Sequence, residues 1–410
     1  MKPAANVNDQ MSARAHRGDV ALALTVFILL AFGLIMMYNI NPALNQKLGA
    51  QVAPVNYFRN QLINVVVGVV AWGFASSIYF KLWRKYAVAL LVISIIALLA
   101  LLVPHLSFTS NGATRWLRLG PLSFQPAELL KLALVVYLAA WFERRQSKLS
   151  SWNDGVIPFI VVVGITCITV AVFQRDLGTT LVLALASLGM FYVAGIRLRH
   201  LTVLLTGAAS AAILAIIAFP HRLSRFTEFL HPGRDASGGG YHIAQALIGI
   251  GSGGLFGVGL GKSIQIYGYL PEAPNDSIFA VIGEEFGLIG SLIIIGLFGF
   301  LVYRGFEIAR KAPDSFSRLV ATGLTLLFLF QAFINIAAML SLVPLTGIPL
   351  PFVSYGGSSL VIMMLAAGLL FNISKYTLKE VSYADSRQRE RDRRPRLAGS
   401  GNRRRVAPAR

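Results

Sequence analysis

VALALTVFILLAFGLIMMY, residues 20–38, is a mostly apolar run without a charged side chain. At 1.5 Å per residue, about 20 helical residues cross the roughly 30 Å of hydrocarbon in a bilayer. The run follows Arg14 and Arg17 and ends in Tyr38 without a small-residue cleavage pattern, so we expect a retained span and not a signal peptide. This stretch predicts a fold built from membrane-spanning helices.

Similar apolar blocks recur along the 410 residues, which are 55% hydrophobic and 13% charged. This composition excludes a water-soluble enzyme. The predicted spans are residues 20–38, 62–80, 87–103, 128–141, 156–173, 177–194, 201–219, 278–302, 319–342 and 353–371. We therefore predict an all-α integral membrane protein with about ten transmembrane helices. A large extracytoplasmic loop, at about residues 220–277, is expected between spans 7 and 8.

The formal net charge of +19 is explained by topology. If the N-terminus is cytoplasmic, about 27 of the 37 basic residues fall on the cytoplasmic side, as the positive-inside rule requires. Both termini are then cytoplasmic. The expected organisation is an N-terminal extension (1–18), a polytopic membrane domain (19–376) and a basic, disordered tail (377–410). Contact with lipid headgroups explains the tail better than nucleic-acid binding, so no nucleic acid is expected as a partner.

The amino-acid composition limits which metal ions or cofactors the protein can bind. Cys167 is the single cysteine and lies inside an apolar block, which excludes a disulfide framework and a thiolate metal site. The candidate ligands are carboxylates, so any ion would be a weakly held Mg²⁺ or Mn²⁺. No organic cofactor is expected.

Glu128 and Lys131 are ionisable residues at membrane depth, where charge is costly and often functional. Pro126 begins the helix, and the three-residue spacing places both side chains on one face, where they can pair. Two interpretations remain open. The pair makes burial tolerable, or Lys131 faces a cavity and meets an anionic ligand.

Several charged residues are predicted on the outer side. Asp176 follows Arg175 between two spans and fits an N-cap of the next helix. The segment 107–125 contains Arg115 and is short and amphipathic. The long loop adds the cluster Arg222, Arg225 and Arg234. These arginines are ordinary interfacial residues, or together they hold a pyrophosphate, for which the guanidinium group is suited.

Asp276 is the first candidate for chemistry because it lies at the outer mouth of a span, beside a loop containing prolines. A partly desolvated carboxylate in such a position can serve as a base, although an N-cap role is the alternative. Glu284 and Glu285 lie deeper and look structural. Residues 344–359, which include Ser358, combine prolines with small polar residues and are typical of the wall of a polar cavity.

Several motifs, in order along residues 19–376, resemble the SEDS family (shape, elongation, division and sporulation) of peptidoglycan glycosyltransferases. They are NGATRW (111–116), FQPAELLK (124–131), DLGT (176–179), GYH (240–242), YLPEAPNDSIFAVIGEE (269–285) and PFVSYGGSS (351–359). The segment GLGKSIQ (259–265) followed by YLPEA (269–273) is closer to the family's cell-division branch than to its elongation branch.

The resemblance implies a polymerase that joins lipid II, a disaccharide-pentapeptide on undecaprenyl pyrophosphate, into β-1,4 glycan strands. It implies the outer face of the bacterial plasma membrane as the place of reaction, with enrichment at the septum. A cognate class B penicillin-binding protein, which is a transpeptidase, and other division proteins are implied as partners. The family's essential outer-loop aspartate corresponds to Asp276, and its embedded Glu and Lys correspond to Glu128 and Lys131.

This chemistry leads to a hypothesis for the residues. Asp276 would deprotonate the acceptor hydroxyl, which attacks the anomeric carbon with inversion. Arg222, Arg225 and Lys131 would stabilise the departing pyrophosphate. The further candidates for contact with the substrate are Glu128, Arg115, Asp176 and Ser358. Two alternatives remain open: a transporter that flips lipid II, since buried charges and broken helices also occur in transporters, and a non-catalytic scaffold for division proteins.

Overall fold

The computed structural model describes residues 16–48, 56–103, 105–110, 113–119, 122–218, 220–230 and 238–377. Most of the N-terminal extension and the basic tail from residue 378 lie outside the described residues, and so does Arg234. The predictions made for these parts are therefore not addressed by the structure.

The described ranges are mainly helical. Their α-helices are α1 (Val20–Leu48), α2 (Tyr57–Ser77), α3 (Lys81–Leu99), α4 (Pro126–Arg144), α5 (Ile157–Phe173), α6 (Leu177–Val193), α7 (Leu198–Ala218), α8 (Pro220–Leu230), α9 (Gly239–Ser252), α10 (Ile278–Arg310), α11 (Ser315–Met339) and α12 (Gly357–Ser374). Each predicted span overlaps one of these helices. The segment 220–277 contains α8, α9 and a short 3₁₀ turn.

Seven of the helical segments are long and apolar enough to cross a membrane, among the residues that the structure describes. They are Val20–Pro42, Tyr57–Ser77, Lys81–Leu102, Trp152–Phe173, Ile278–Arg310, Ser315–Met339 and Gly357–Ser374. The remaining predicted spans coincide with α4, which carries four charged side chains, and with α6 and α7, whose apolar segments are shorter. The prediction of a helical membrane protein is confirmed, whereas the number of spans and the side on which 220–277 lies stay predictions.

A small antiparallel sheet lies between α3 and α4, and the sequence analysis did not predict it. Its strands are β1 (Ser107–Ser110), β2 (Ala113–Leu119) and β3 (Leu122–Phe124), in the order β1-β2-β3. Leu117 is paired with Ser107 on one side and with Phe124 on the other. The sheet leads directly into the first turn of α4, which carries Glu128.

The centre of the bundle consists of α4, α11 and α12. Of the 18 consecutive residues that are most apolar in each helical segment, 78% are buried in α11 and α12, against 28% in α2, α3, α5 and α10. The less buried helices expose apolar side chains such as Val66, Ile93 and Ile165, as a surface facing lipid does. Glu128 and Lys131 of α4 and Gln331 and Asn335 of α11 are buried in this centre.

The helix α10 is interrupted at Gly287, where φ is 66° and ψ is −161°. The interruption frees backbone groups that a membrane cannot satisfy, and residues 254–259 pair with them. Leu288 N donates to Gly254 O (2.9 Å), and Val258 N donates to Glu284 O (2.9 Å). Because a Cβ on Gly287 would lie 2.4 Å from Gly257 N, the close approach requires glycine.

The carboxylates of Glu284 and Glu285 hold the same segment in place, in agreement with a structural role. Glu284 accepts a hydrogen bond from the Ser263 hydroxyl and one from Ile264 N (3.0 Å). Glu285 accepts from Asn39 Nδ2 at 2.6 Å. These bonds tie the break in α10 to the loop before it and to α1.

Candidate functional site

Asp276 lies in the turn that precedes α10 and is half-buried. The N-cap position of α10 is occupied by Ser277, so the location of Asp276 differs from that of the predicted helix cap. Its carboxylate Oδ1 is 3.4 Å from Ser277 Oγ, and its backbone carbonyl accepts a 2.7 Å hydrogen bond from Asn335 Nδ2. The main chain at Asp276 is thus anchored to α11.

His242 approaches the same turn from α9. Its Nε2 is 2.5 Å from Ser277 Oγ, and that hydroxyl donates to Pro271 O at 2.8 Å. A serine has one hydroxyl proton and a carbonyl only accepts, so His242 Nε2 is the donor to Ser277 Oγ. The Ser277 hydroxyl therefore joins α9 to the turn that carries Asp276.

The connection between α11 and α12, residues 340–356, lies against this turn. Tyr355 N donates to Pro274 O at 2.8 Å. A Cβ on Gly347 would lie 3.7 Å from Asp276 Oδ2, and Gly347 has a φ of 69°, which favours glycine. The α11–α12 connection therefore packs beside Asp276 and the turn that carries it.

Glu128 and Lys131 form an ion pair inside the helix bundle. Lys131 Nζ is 2.8 Å from Glu128 Oε2, and the side chains are 1% and 2% exposed. Lys131 Nζ also donates to Gln331 Oε1 at 2.6 Å. In this arrangement each charge compensates the other, which makes the burial of both side chains tolerable. Direct contact of Lys131 with a pyrophosphate stays a prediction, and it requires the lysine to leave these partners or the ligand to enter between the helices.

Two buried amides of α11 connect these features. Gln331 Nε2 donates to Pro349 O at 3.0 Å, and Asn335 Nδ2 donates to Asp276 O and to Ile348 O, both at 2.7 Å. Both side chains are buried. The ion pair of α4, the α11–α12 connection and the turn of Asp276 therefore belong to one hydrogen-bonded arrangement.

Asp176 is the N-cap of α6, as the sequence analysis predicted from its position. Its Oδ1 accepts from Thr179 N and its Oδ2 accepts from Thr179 Oγ1, both at 2.9 Å. A Cβ on Gly178 would lie 2.8 Å from Thr346 O, so the first turn of α6 packs against the α11–α12 connection. Asp176 and Asp276 thus belong to segments that contact the same connection.

Arg115 joins strand β2 to the turn between α5 and α6. Its Nε donates to Gln174 O at 3.1 Å, and its terminal nitrogen donates to Arg175 O at 2.9 Å. These bonds use part of the guanidinium for structure. Pyrophosphate binding by Arg115 stays a prediction.

The other predicted binding residues lie on α12 and α8. Ser358 is buried in the first turn of α12, and its hydroxyl accepts a 3.2 Å bond from Gln125 N, next to the start of α4. Arg222 and Arg225 belong to α8, with side chains outside the described part of the structure. Their convergence on a ligand therefore stays a prediction.

Sequence reasoning missed Gln331, Asn335, His242 and Ser277. The signal for the first two was present, because they are amides four residues apart within the apolar block 319–342 and so lie on one helix face. The contact between His242 and Ser277 joins residues 35 positions apart and required the tertiary structure.

Among the residues that the structure describes, no three His, Cys, Asp or Glu side chains lie close enough together to hold a metal ion. The requirement for Mg²⁺ or Mn²⁺ therefore stays a prediction.

Comparison with known proteins adds independent information. A protein-family model described as "Cell cycle protein" and named for FtsW, RodA and SpoVE matches residues 20–379. Stage V sporulation protein E of Bacillus subtilis is 36% identical over 368 residues, which are 90% of this chain and 100% of the relative. The "Probable peptidoglycan glycosyltransferase FtsW" of Trichlorobacter lovleyi is 38% identical over 356 residues, covering 87% of this chain and 93% of the relative.

A solved structure has the same fold with a TM-score of 0.70 and 26% sequence identity. It is described as "Structural coordination of polymerization and crosslinking by a peptidoglycan synthase complex". The match covers 88% of this chain and 99% of that one, so the similarity extends over nearly the entire membrane domain.

Proposed function

The chain belongs to the cell cycle protein family of FtsW, RodA and SpoVE, and from this premise we propose that it is a peptidoglycan glycosyltransferase that polymerises lipid II. Its reaction takes place at the outer face of the plasma membrane and yields β-1,4 glycan strands. The observation that supports a catalytic role for Asp276 is its half-buried carboxylate beside the α11–α12 connection, in a turn anchored to α11.

The proposed reaction is a displacement at the anomeric carbon of the growing chain. Asp276 accepts the proton of the acceptor sugar hydroxyl as the oxygen forms the new glycosidic bond. The bond from the anomeric carbon to the pyrophosphate oxygen breaks on the opposite face, so the configuration inverts. The polyprenyl pyrophosphate departs with the bonding electrons. Protonation of Asp276 and charge on the leaving group therefore develop together.

Cations near the leaving group would lower the barrier because they meet the negative charge as it develops. Arg222 and Arg225 on α8 and Arg115 on β2 are the proposed contacts, with Lys131 as a further candidate within the bundle. We assign supporting roles to the remaining proposed residues: Glu128 pairs with Lys131, Asp176 shapes the first turn of α6, and Ser358 joins α12 to α4. Because several cations share the contact with the pyrophosphate in this proposal, replacing one arginine with a neutral residue should weaken lipid II binding without abolishing it.

The metal requirement is a separate proposal. We propose that Mg²⁺ or Mn²⁺, where it acts, arrives with the pyrophosphate, because phosphate oxygens are ligands that these ions prefer and no three His, Cys, Asp or Glu side chains cluster among the described residues. Such an ion would supply charge neutralisation to the leaving group. No step assigned to the protein depends on it.

The biological setting is proposed on the names of the relatives. Similarity to an FtsW protein favours septal wall synthesis in cell division, and the similar chain from a peptidoglycan synthase complex favours a class B penicillin-binding protein as partner. Divisome association and cytoplasmic termini belong to the same proposal. A fluorescent fusion is expected at midcell, whereas a fusion distributed along the cylinder would contradict the septal role.

The test of the proposed function is synthesis of glycan from labelled lipid II by purified protein, with and without the cognate transpeptidase. Reactions at several Mg²⁺ and Mn²⁺ concentrations measure the metal dependence. Products of increasing length that lysozyme digests are the expected result. If folded protein moves lipid II across a vesicle membrane but makes no glycan, the function is transport. If it only recruits its partner, the function is scaffolding.

A further inference from the structure

We propose that Asn335 is a positioning residue for Asp276, and that Gln331 extends the same support to the ion pair of Glu128 and Lys131. The two α11 residues are called the amide pair below. The proposal rests on the proposed function in one respect only, because the importance of Asp276 comes from its role as the base.

Asn335 uses both protons of its amide in the interior of the protein. They go to Asp276 O and Ile348 O, each at 2.7 Å, and the side chain is buried. Both acceptors are backbone carbonyls, so a flipped amide would direct its oxygen at two other oxygens. The orientation of Asn335 is therefore fixed by chemistry. Through it, two segments far apart in the sequence are held to one helix.

The bond to Asp276 bears directly on its carboxylate. Its acceptor is the main-chain carbonyl of the residue that carries the proposed base, so movement of this carbonyl moves the Cα and the side chain with it. Misplacement of a catalytic group by about 1 Å can cost about 100-fold in rate. A buried anchor at this carbonyl thus sets where the base meets the acceptor hydroxyl.

Gln331 acts one turn earlier on the same face of α11. Lys131 Nζ can only donate and Pro349 O can only accept, so Gln331 Oε1 faces the lysine and Nε2 faces the carbonyl. The amide pair is four residues apart, about 6 Å along the helix axis. Its two members bind the consecutive carbonyls of Ile348 and Pro349.

The resulting path runs from Glu128 and Lys131 through Gln331 to the α11–α12 connection, and from there through Asn335 to Asp276. Each step is a contact of 3.0 Å or less. The buried ion pair can therefore influence the site without touching substrate, because it fixes one end of this path. A change at Gln331 is expected to reach Asp276 in weaker form than a change at Asn335.

The decisive experiment compares Asn335→Ala with Asn372→Ala in the full-length protein. Asn372 is a matched control because it is a buried asparagine on α12 whose Nδ2 donates to Ser76 O at 2.6 Å, with no bond to the turn of Asp276. Both variants replace a buried asparagine with alanine and remove an amide that donates to a backbone carbonyl. Thermal unfolding, lipid II kinetics and hydrogen exchange are measured on the same preparations.

For Asn335→Ala we expect a loss of kcat of about 10- to 100-fold with little change in KM, since positioning is impaired and binding is not. Backbone amides of residues 270–278 should exchange about 10-fold faster or more, because the hydrogen bond that ties Asp276 O to α11 is gone. Asn372→Ala should unfold at a similarly lowered temperature and keep both its kcat and the exchange of residues 270–278.

Equal losses of kcat in the two variants, or unchanged exchange at 270–278 in Asn335→Ala, would overturn the proposal. The exchange measurement also separates this proposal from the proposed function. If the wild-type protein made no glycan, the function would fall, and the exchange of residues 270–278 would still decide whether Asn335 fixes the turn.

Discussion

Replacing Lys131 with Met removes the cation of the buried ion pair and nearly preserves the side-chain volume. With an effective dielectric constant of about 20, two charges 2.8 Å apart interact by about 6 kcal/mol. Local relaxation and water entry recover part of this energy. Removal of one partner of a buried pair typically costs about 3–5 kcal/mol, and we expect Lys131→Met to fall in this range.

The same structure supplies a control and a rescue. Arg84 and Glu143 are 3.0 Å apart but 44% and 21% exposed, so Arg84→Met should cost less than about 1 kcal/mol. The double variant Glu128→Gln, Lys131→Met removes both buried charges and should recover much of the loss. Unfolding free energies of all variants are measured by denaturant titration in one detergent.

The account of the ion pair would be refuted by a cost for Lys131→Met no larger than that for Arg84→Met. It would also be refuted if the double variant were less stable than Lys131→Met, because the uncompensated Glu128 carboxylate is the stated source of the instability. Either result would mean that water or other groups already stabilise these charges.

Two further predictions concern α10 and the turn that precedes it. Gly287→Ala should destabilise by about 2 kcal/mol or more, because φ is 66° and the new Cβ would meet Gly257 N. Gly296→Ala on the same helix has open space and should be neutral or slightly stabilising in the same thermal melts; equal effects would contradict the strain. Ser277→Ala breaks the bond to His242 and should lower kcat about 10-fold, with KM little changed, in the lipid II assay. A kcat of Ser277→Ala equal to that of the wild type would show that Ser277 is not needed to position the turn.

The sequence was most informative where one local property decides structure. Apolar runs predicted the positions of the spanning helices, and Asp176 was predictable as a helix cap because capping depends on residues three positions away. The pairing of Glu128 with Lys131 followed from helical spacing in the same way. In each case the interacting groups lie within one turn of one helix.

The missed features depend on contacts between distant segments. The sheet between α3 and α4 is short and sits in a predicted loop, where apolar periodicity carries little signal. The break at Gly287 became visible only with residues 254–259 paired to it. Asn335 was visible as an amide in an apolar block, but its partner, the Asp276 carbonyl, is 59 positions away.

The most direct test of the central claim is the rate of lipid II polymerisation by Asp276→Asn against wild type, at matched folding and with the cognate transpeptidase present. Asparagine preserves the size of the side chain and the main-chain bond to Asn335 but cannot accept the hydroxyl proton. Asp154→Asn, a change at an exposed aspartate before α5, is the control and should keep wild-type activity. We predict a loss of about 100-fold or more for Asp276→Asn. Glycan made by Asp276→Asn at the wild-type rate would contradict the assignment of Asp276 as the base.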